Sequence, residues 1–205
     1  MTAPILTLVA GAASWTLVEY LLHRFVFHGS SPRSIGAGEH RQHHARPDYF
    51  APWWQKALVA LVVTAAVLPA LAFVAGAEIS LWFTLGFIAM YLLYEVLHRR
   101  AHTQPPRGRY GRWRRRNHFA HHFGDPGRAH GVTSPVWDRV FGTRLPLEPV
   151  RVPRRLAMPW LVDEDGRIRE AFASDYVLVG SARADEQTRR ADSEAALENR
   201  SPAAG

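Results

Sequence analysis

Three long apolar stretches restrict the folds that this chain can adopt. They are Ala3 to Leu22, Ala57 to Ala77 and Ile79 to Leu97. Each is close to the roughly 20 residues that a helix needs to cross a hydrocarbon core of about 30 Å. Because a backbone in lipid must satisfy its hydrogen bonds internally, these stretches predict membrane-spanning helices. A link of only Gly76, Ala77 and Glu78 predicts that the second and third form a helical hairpin.

The arginines predict how these spans are oriented. Four arginines follow the first span, between Arg24 and Arg46, and eight follow the third, between Arg99 and Arg116. The positive-inside rule puts both regions in the cytoplasm and the N-terminus outside. The first span has no basic residue ahead of it and no small-residue cleavage site after it, so it is interpreted as a retained span. We therefore expect an integral protein of the bacterial inner membrane.

Histidine is unusually frequent, and cysteine is absent. The lack of cysteine excludes disulfides, thiolate zinc sites, cysteine-ligated iron–sulfur clusters and cysteine nucleophiles. Ten of the eleven histidines form a pair and a triplet after the first span, and another pair and triplet after the third. They are His23 and His28, then His40, His43 and His44, then His98 and His102, then His118, His121 and His122.

The spacing of these histidines predicts a site for two metal ions. Side chains at i, i+3 and i+4 project from one face of a helix, so His98 and His102 should converge, as should each triplet. His23 and His28 are about 140° apart on an ideal helix, so they either straddle a helix end or serve different metals. Neutral imidazole is a good ligand for iron and zinc, and ten imidazoles suit two ions with about five ligands each.

Four other residues are candidates for supporting the ligands. Glu19 and Glu95 lie about one turn before His23 and His98, where a carboxylate could orient an imidazole or pair with a nearby arginine. His130 stands alone, and the sequence leaves open whether it supports the ligands or lies on the surface. Asp138 is a further supporting candidate.

The histidine motifs resemble those of the fatty acid hydroxylase/sterol desaturase superfamily. The likeness runs from about Trp15 to Thr143. It is carried by E-Y-L-L-H-R-F-V-F-H from Glu19, H-R-Q-H-H from His40, Y-E-V-L-H-R-R-A-H-T from Tyr94, N-H-F-A-H-H-F from Asn117 and G-V-T-S-P-V-W-D-R-V-F-G-T from Gly131. The opening motif is most like that of fatty acid 2-hydroxylases.

This resemblance implies a fold and a set of cofactors. The fold would be all-α, an integral membrane bundle of three or four spans with a cytoplasmic, histidine-lined cap that holds two metals. The ten clustered histidines would bind two iron ions, with zinc able to replace iron on purification and O2 as co-substrate. No catalytic residue separate from these ligands is expected.

The implied function is hydroxylation of an aliphatic C–H bond of a lipid, a fatty acyl chain first. Substrate would arrive from the bilayer, and electrons from an external ferredoxin or b-type cytochrome with its reductase. Arginines between Arg107 and Arg116 would form a basic patch that binds this donor or anionic lipid. A carotenoid ring hydroxylase or a sterol desaturase or oxidase is the alternative within the superfamily.

Two other classes of protein are weaker alternatives. A metal transporter or metal-binding protein would place polar ligands along its spans, whereas these spans are almost wholly apolar. The formal charge of +7 alone suggests nucleic-acid binding, and no motif supports it.

The composition also predicts the organisation of the chain. Residues 1–146 form the membrane-embedded di-metal domain, and 147–180 a short cytoplasmic extension with a hairpin around Asp163 to Gly166. Residues 181–205 have many charges and few large apolar side chains, which predicts a disordered tail.

Overall fold

The computed structural model describes residues 2–29, 36–146 and 148–180. Its helices are α1 (Thr2–Leu21), a π-helical turn (Leu22–Phe27), α2 (Ala37–Ala45), α3 (Trp53–Ala75), α4 (Ala77–Thr103), α5 (Gly108–Phe123) and α6 (Val136–Val140). Two 3₁₀ turns (Arg154–Leu156 and Glu170–Phe172) lie between the strands β1 (Val150–Pro153) and β2 (Tyr176–Val179). The predicted tail at 181–205 lies outside the described residues.

Three helices are long and apolar enough to cross a membrane. They are Thr2–Phe27, Trp53–Ala75 and Ala77–Thr103. The first and third contain the predicted spans, and the second ends two residues before the predicted end at Ala77. The hairpin between the last two is tighter than predicted, because Gly76 alone separates α3 from α4. Gly76 reaches φ 90°, a backbone conformation that a residue with a side chain rarely adopts.

Two glycines let α1 and α4 approach closely. A Cβ atom added to Gly11 would lie 2.0 Å from the carbonyl oxygen of Phe83, and one added to Gly86 would lie 1.9 Å from that of Leu8. The ring of Trp15 fills the next layer, with its centroid 5.3 Å from that of Phe87. Small residues at a helix crossing give close packing where lipid supplies no hydrophobic force between helices.

Helix α3 faces outward along most of its length. None of its residues is buried, and its surface of leucine, valine and phenylalanine suits contact with lipid tails. It is held to α4 at both ends: Ser80 Oγ donates to the Leu68 carbonyl oxygen at 2.6 Å, and Lys56 Nζ lies 2.5 Å from Glu95 Oε2.

Helices α2 and α5 are too polar to span a membrane, and they cover the histidine-bearing ends of α1 and α4. Arg115 on α5 donates from Nη2 to the Arg100 carbonyl oxygen at 2.7 Å and from Nε to that of Gln104 at 3.0 Å. The Arg100 carbonyl lies in the last turn of α4 and Gln104 directly follows that turn, where few amides remain to pair with the carbonyls. The arginine thus fixes α5 against the end of the span.

The extension is not all-α, so the predicted fold class is wrong for this segment. Strands β1 and β2 pair in parallel, with Val150 opposite Tyr176. The predicted hairpin around Asp163 to Gly166 does occur, closed by an antiparallel bridge between Val162 and Ile168. The parallel pair joins strands far apart in sequence, so no local turn motif announces it.

The extension packs on α5 through a buried apolar cluster. Its members are Ala101, Phe119, Val150, Val152, Met158, Trp160, Leu161 and Tyr176. Trp160 Nε1 also donates to the carbonyl oxygens of Ala101 and His102, both at 3.1 Å. The extension therefore supports the helix ends that carry histidines.

Candidate metal centre

The ten clustered histidines form two groups of five. The first histidine group contains His23, His28, His40, His44 and His121; the second contains His43, His98, His102, His118 and His122. Within each group, one nitrogen per ring lies within 4.8 Å of all the others. The number of rings in each group agrees with the expectation of about five ligands for each of two ions, and the binding of the ions stays a prediction.

Each triplet divides between the two groups, which corrects the prediction that a triplet converges on one point. In α2, His40 and His44 face the first group while His43 faces the second. In α5, His118 and His122 face the second group while His121 faces the first. Each half of the chain therefore gives four ligands to one group and one to the other.

A π-helical turn explains how His23 and His28 meet. The His28 amide donates to the His23 carbonyl oxygen at 3.2 Å, five residues back. This wider turn brings to one side two side chains that an α-helix would separate. The pair lies at the end of the helix and both rings belong to the first group, a grouping that favours one shared metal over two.

The two groups are in direct contact through one pair of rings. The rings of His44 and His122 stack with centroids 4.1 Å apart and planes 7° apart. His44 belongs to the first group and His122 to the second. Two ions held by these groups would therefore be near neighbours.

Backbone carbonyls orient three of the rings. His23 Nδ1 donates to the His130 carbonyl oxygen at 2.6 Å, and His121 Nδ1 to that of Arg128 at 2.7 Å. His43 Nδ1 donates to the carbonyl oxygen of Tyr49 at 2.7 Å. A carbonyl oxygen can only accept, so in each neutral ring the proton is on Nδ1 and the Nε2 lone pair is free to bind a metal.

A bound cation explains the arrangement of the first group better than hydrogen bonds between the rings do. His40 Nε2 lies 2.7 Å from His28 Nε2, 3.0 Å from His44 Nε2 and 3.2 Å from His23 Nε2. A neutral imidazole has one N–H, so it can satisfy one of these neighbours and leaves the other lone pairs facing each other. A divalent ion at their centre would accept all of them.

The second group has unsatisfied nitrogens of the same kind. His102 Nε2 and His118 Nε2 lie 2.8 Å apart, and the Nε2 atoms of His43, His98 and His122 are buried without a hydrogen-bond partner in the described part of the chain. Buried polar atoms are rarely left without partners. A metal ion that imidazole binds well would accept one nitrogen from each of the five rings.

Burial also keeps the rings in the form that binds metal. Desolvation is the main cause that lowers the pKa of His28 and of His43 to about 4, and that of His44 to about 3. The same cause lowers the pKa of His118, His121 and His122 well below its usual value. These imidazoles are therefore neutral at physiological pH, as ligands must be.

Comparison with known proteins agrees with this geometry. The family model for fatty acid hydroxylase matches residues 8–143. The chain belongs to the fatty acid hydroxylase family. This confirms the resemblance in the sequence, including the likeness to fatty acid 2-hydroxylases.

Several curated relatives share this region. The dihydroceramide fatty acyl 2-hydroxylase FAH2 of Arabidopsis thaliana is 30% identical, over 65% of this chain and 58% of its own length. The fatty acid 2-hydroxylase of Rattus norvegicus is 33% identical, over 68% of this chain and 40% of its own. The chain thus spans about half the length of these relatives.

A solved structure supports the fold. It is that of full-length scs7p, in which only the hydroxylase domain is visible; it aligns with a TM-score of 0.56 at 24% identity, over 71% of this chain and 57% of that one. This likeness bears on the fold alone.

In this family member, Glu19 supports the histidine groups indirectly, through a loop. Its Oε1 accepts from the amides of Val132 at 2.6 Å and Thr133 at 3.1 Å, and its Oε2 from the Thr133 hydroxyl at 2.5 Å. These bonds position the loop whose residue His130 supplies the carbonyl that orients His23. The sequence suggested that Glu19 orients an imidazole or pairs with an arginine. In these bonds it contacts neither.

Asp138 holds the same loop from the other side. Its carboxylate accepts from the amides of His130 and Gly131, both at 2.9 Å, and from the Thr143 hydroxyl at 2.8 Å. His130 itself is 1% exposed rather than on the surface. Its ring lies beside the first group, with its centroid 5.3 Å from that of His23.

Glu95 and the basic patch differ from the expectations. Glu95 pairs with Lys56, the only lysine of the sequence, and among the described residues it forms no ion pair with an imidazole or an arginine. Arg114 and Arg115 are 2% and 4% exposed, so they cannot form part of a surface for a partner. Arg112 also forms an ion pair, at 2.8 Å, with Asp175.

The residues that sequence reasoning missed act mainly through their backbone. The carbonyls of Tyr49 and Arg128 orient ligands, and any residue type could supply them. Thr133 could have been identified from the sequence, since it belongs to the motif that starts at Gly131. Asn117 belongs to another motif; its side-chain amide donates to the Gly131 carbonyl oxygen at 3.0 Å.

Proposed function

We propose that this chain is a membrane-bound di-iron oxygenase that hydroxylates carbon 2 of a fatty acyl chain. The observation that carries the proposal is the pair of adjacent five-imidazole groups at one end of three apolar helices. Membership of the fatty acid hydroxylase family and the relatives named as 2-hydroxylases support the reaction and the position.

In this proposal the two histidine groups each hold one iron. Bound iron would supply the oxidant, made from dioxygen, that an unactivated C–H bond requires and that side-chain acid–base chemistry cannot provide. The protein's part is to keep ten rings neutral and oriented. The carbonyls of Tyr49, Arg128 and His130 do this for three of them.

In this proposal the substrate comes from the bilayer and the electrons come from another protein. Acyl chains would reach the metals laterally, since α1 and α4 carry histidines directly after their apolar segments. Electrons would come from an external ferredoxin or b-type cytochrome. Exposed arginines at the start of α5, Arg107 and Arg109, would attract such an acidic partner. The histidine end would face the cytoplasm of a bacterial inner membrane.

Lipid analysis tests this function. A bacterial host that supplies a ferredoxin would express the chain, its His121→Ala variant and its Gly38→Ala variant under labelled dioxygen. We expect 2-hydroxy fatty acids with labelled oxygen from the chain and from Gly38→Ala, whose added methyl group meets open space. His121→Ala should give none. Identical lipids from all three proteins, with iron-loaded protein in the membrane, would refute the proposal. Oxygenated products from supplied carotenoids or sterols would instead assign the chain to a carotenoid or sterol substrate.

A further inference from the structure

A cavity of about 550 Å³ opens beside the second histidine group. It lies where the last turn of α4, the connection between α2 and α3, and the first 3₁₀ turn of the extension meet. Three arginines from these three segments line it: Arg46, Arg99 and Arg155. They are far apart in the sequence, and no motif connects them.

The cavity borders the second histidine group at one residue. His102, a member of the second group, is part of its wall. Phe50 lines it as well, and its ring centroid lies 5.9 Å from that of His102 and 6.3 Å from that of His98. A molecule in the cavity would therefore be close to the ligands of one ion.

The cavity also lies at the level of the membrane boundary. Trp53 and Trp54, which begin α3 just after Phe50, are 79% and 55% exposed. Exposed tryptophans at a span end are typical of the headgroup region. Arg99 comes from the last turns of α4, the other helix of that hairpin. A lipid in the leaflet could place its head here and keep its tail in the bilayer.

The charge of the cavity selects an anion. Three arginines and one acidic residue, Asp48, line it, and none of these arginines forms an ion pair among residues 2–29, 36–146 and 148–180. Arg99 lies over the Phe50 ring at 4.7 Å, and Arg46 over the Tyr49 ring at 5.3 Å. Stacking on the rings leaves the N–H edges of these guanidinium groups available for a carboxylate or phosphate.

We propose that this cavity binds the carboxylate of a free fatty acid, so that the enzyme acts on an acidic lipid and not on a neutral one. This inference rests on the proposed function. Carbon 2 is one bond from the carboxyl carbon, so a carboxylate held beside His102 brings carbon 2 to the metal position. A phosphate head, several bonds further along, would place a different carbon there. Leu156 and Met158 give the cavity apolar wall for the first methylenes.

Equilibrium binding of radiolabelled palmitate tests the proposal without turnover. The full metal-loaded chain would be placed in phosphatidylcholine nanodiscs, at a pH where the bound acid is ionised. We expect palmitate to compete at least tenfold better than its methyl ester or a ceramide. Arg155→Gln and Arg46→Gln should each weaken palmitate binding about three- to tenfold, the size expected for the net contribution of one hydrogen bond. Binding should also weaken with added salt.

Two further variants provide the controls. Arg151→Gln removes an exposed arginine of the same extension outside the cavity, and it should leave palmitate binding unchanged. Arg155→Lys keeps the charge and should restore part of the affinity.

The outcomes separate this inference from the proposed function. Equal binding of palmitate and its methyl ester, or no effect of the arginine variants, would overturn the inference even if hydroxylation occurs. Stronger competition by palmitoyl lysophosphatidic acid and by inorganic phosphate would assign the cavity to a phosphate head and overturn it as well. Arginine-dependent palmitate binding without any hydroxylation would refute the proposed function and leave the carboxylate site standing.

Discussion

At the scale of single residues, the centre depends on carbonyl oxygens more than on carboxylates. His23, His43 and His121 each donate Nδ1–H to a main-chain carbonyl. The buried acids Glu19 and Asp138 hold the segment that provides one of these carbonyls. Metal affinity should therefore respond to residues that touch no ligand.

The division of the triplets can be tested by counting metal ions. His43→Ala with His122→Ala removes two ligands of the second group, whereas His44→Ala with His122→Ala removes one from each. We expect the first double variant to retain one ion after dialysis against a mild chelator, and the second to retain fewer, because both of its groups are incomplete. Elemental analysis per protein chain measures this. Equal metal content in both would contradict the assignment of His43 and His44 to different groups.

Removal of the Glu19 carboxylate should loosen the loop beneath His23. Glu19→Ala leaves two buried amides and a hydroxyl without their acceptor. At about 1–3 kcal/mol for each of the three unsatisfied buried groups, the variant should lose at least about 3 kcal/mol of stability and retain less iron. Glu19→Gln keeps one carbonyl oxygen for the amides and should lose less. Thermal unfolding with elemental analysis measures both effects, and unchanged unfolding of Glu19→Ala would contradict this role.

Sequence reasoning identified the imidazoles but not their assignment. Helical spacing correctly predicted that His98 and His102 act together. It failed for His43 and His121, because which face of α2 or α5 meets which metal depends on how those helices pack. Likewise, a string of arginines gives no sign that Arg114 and Arg115 are buried while Arg107 and Arg109 are exposed.

At the scale of elements, the crossing of α1 and α4 brings the two halves of the centre together. α1 leads into His23 and His28, and α4 carries His98 and His102, so their relative position sets the distance between the ligands. Apolar length predicted both spans from the sequence. Their contact through glycine was not predicted, because a glycine in an apolar helix is common for other reasons.

A single methyl group at this crossing should be poorly tolerated. The Cβ atom of Gly86→Ala would lie 1.9 Å from the Leu8 carbonyl oxygen, so the helices must separate. We expect a clear loss of thermal stability in detergent. Gly38→Ala is the matched control, since it adds a methyl group to a helix with nothing within 4 Å and should be neutral or stabilise by about 0.5–1 kcal/mol. Equal melting temperatures would show that the helices do not pack as described.

At the scale of the whole molecule, the extension acts as a support for the metal centre. Its core covers Phe119 of α5, and Trp160 binds the carbonyls of Ala101 and His102. The sequence predicted an extension with a hairpin. It did not predict this docking, because the contacts join residues about 60 positions apart and follow no motif.

Truncation of Trp160 should destabilise the cap as a whole. Trp160→Ala removes a ring that is 7% exposed and leaves two carbonyls without their donor, at a cost of about 3–5 kcal/mol. We expect earlier thermal unfolding and loss of iron from the second group. Trp54→Ala, at the exposed start of α3, is the matched control and should change little in unfolding temperature. Similar unfolding of the two variants would argue against a structural role for the extension.

The exchange of His43 and His121 between the halves has a consequence for biogenesis. Four members of the first group are translated by residue 44, but His121 follows 77 residues later. The second group likewise waits for α5, which carries His118 and His122. Neither group is complete on a nascent chain that lacks this helix, so a metal ion could find all of its ligands only after all three spans have been made. A ribosome stalled before α5 would leave in the bilayer a chain unable to complete either site.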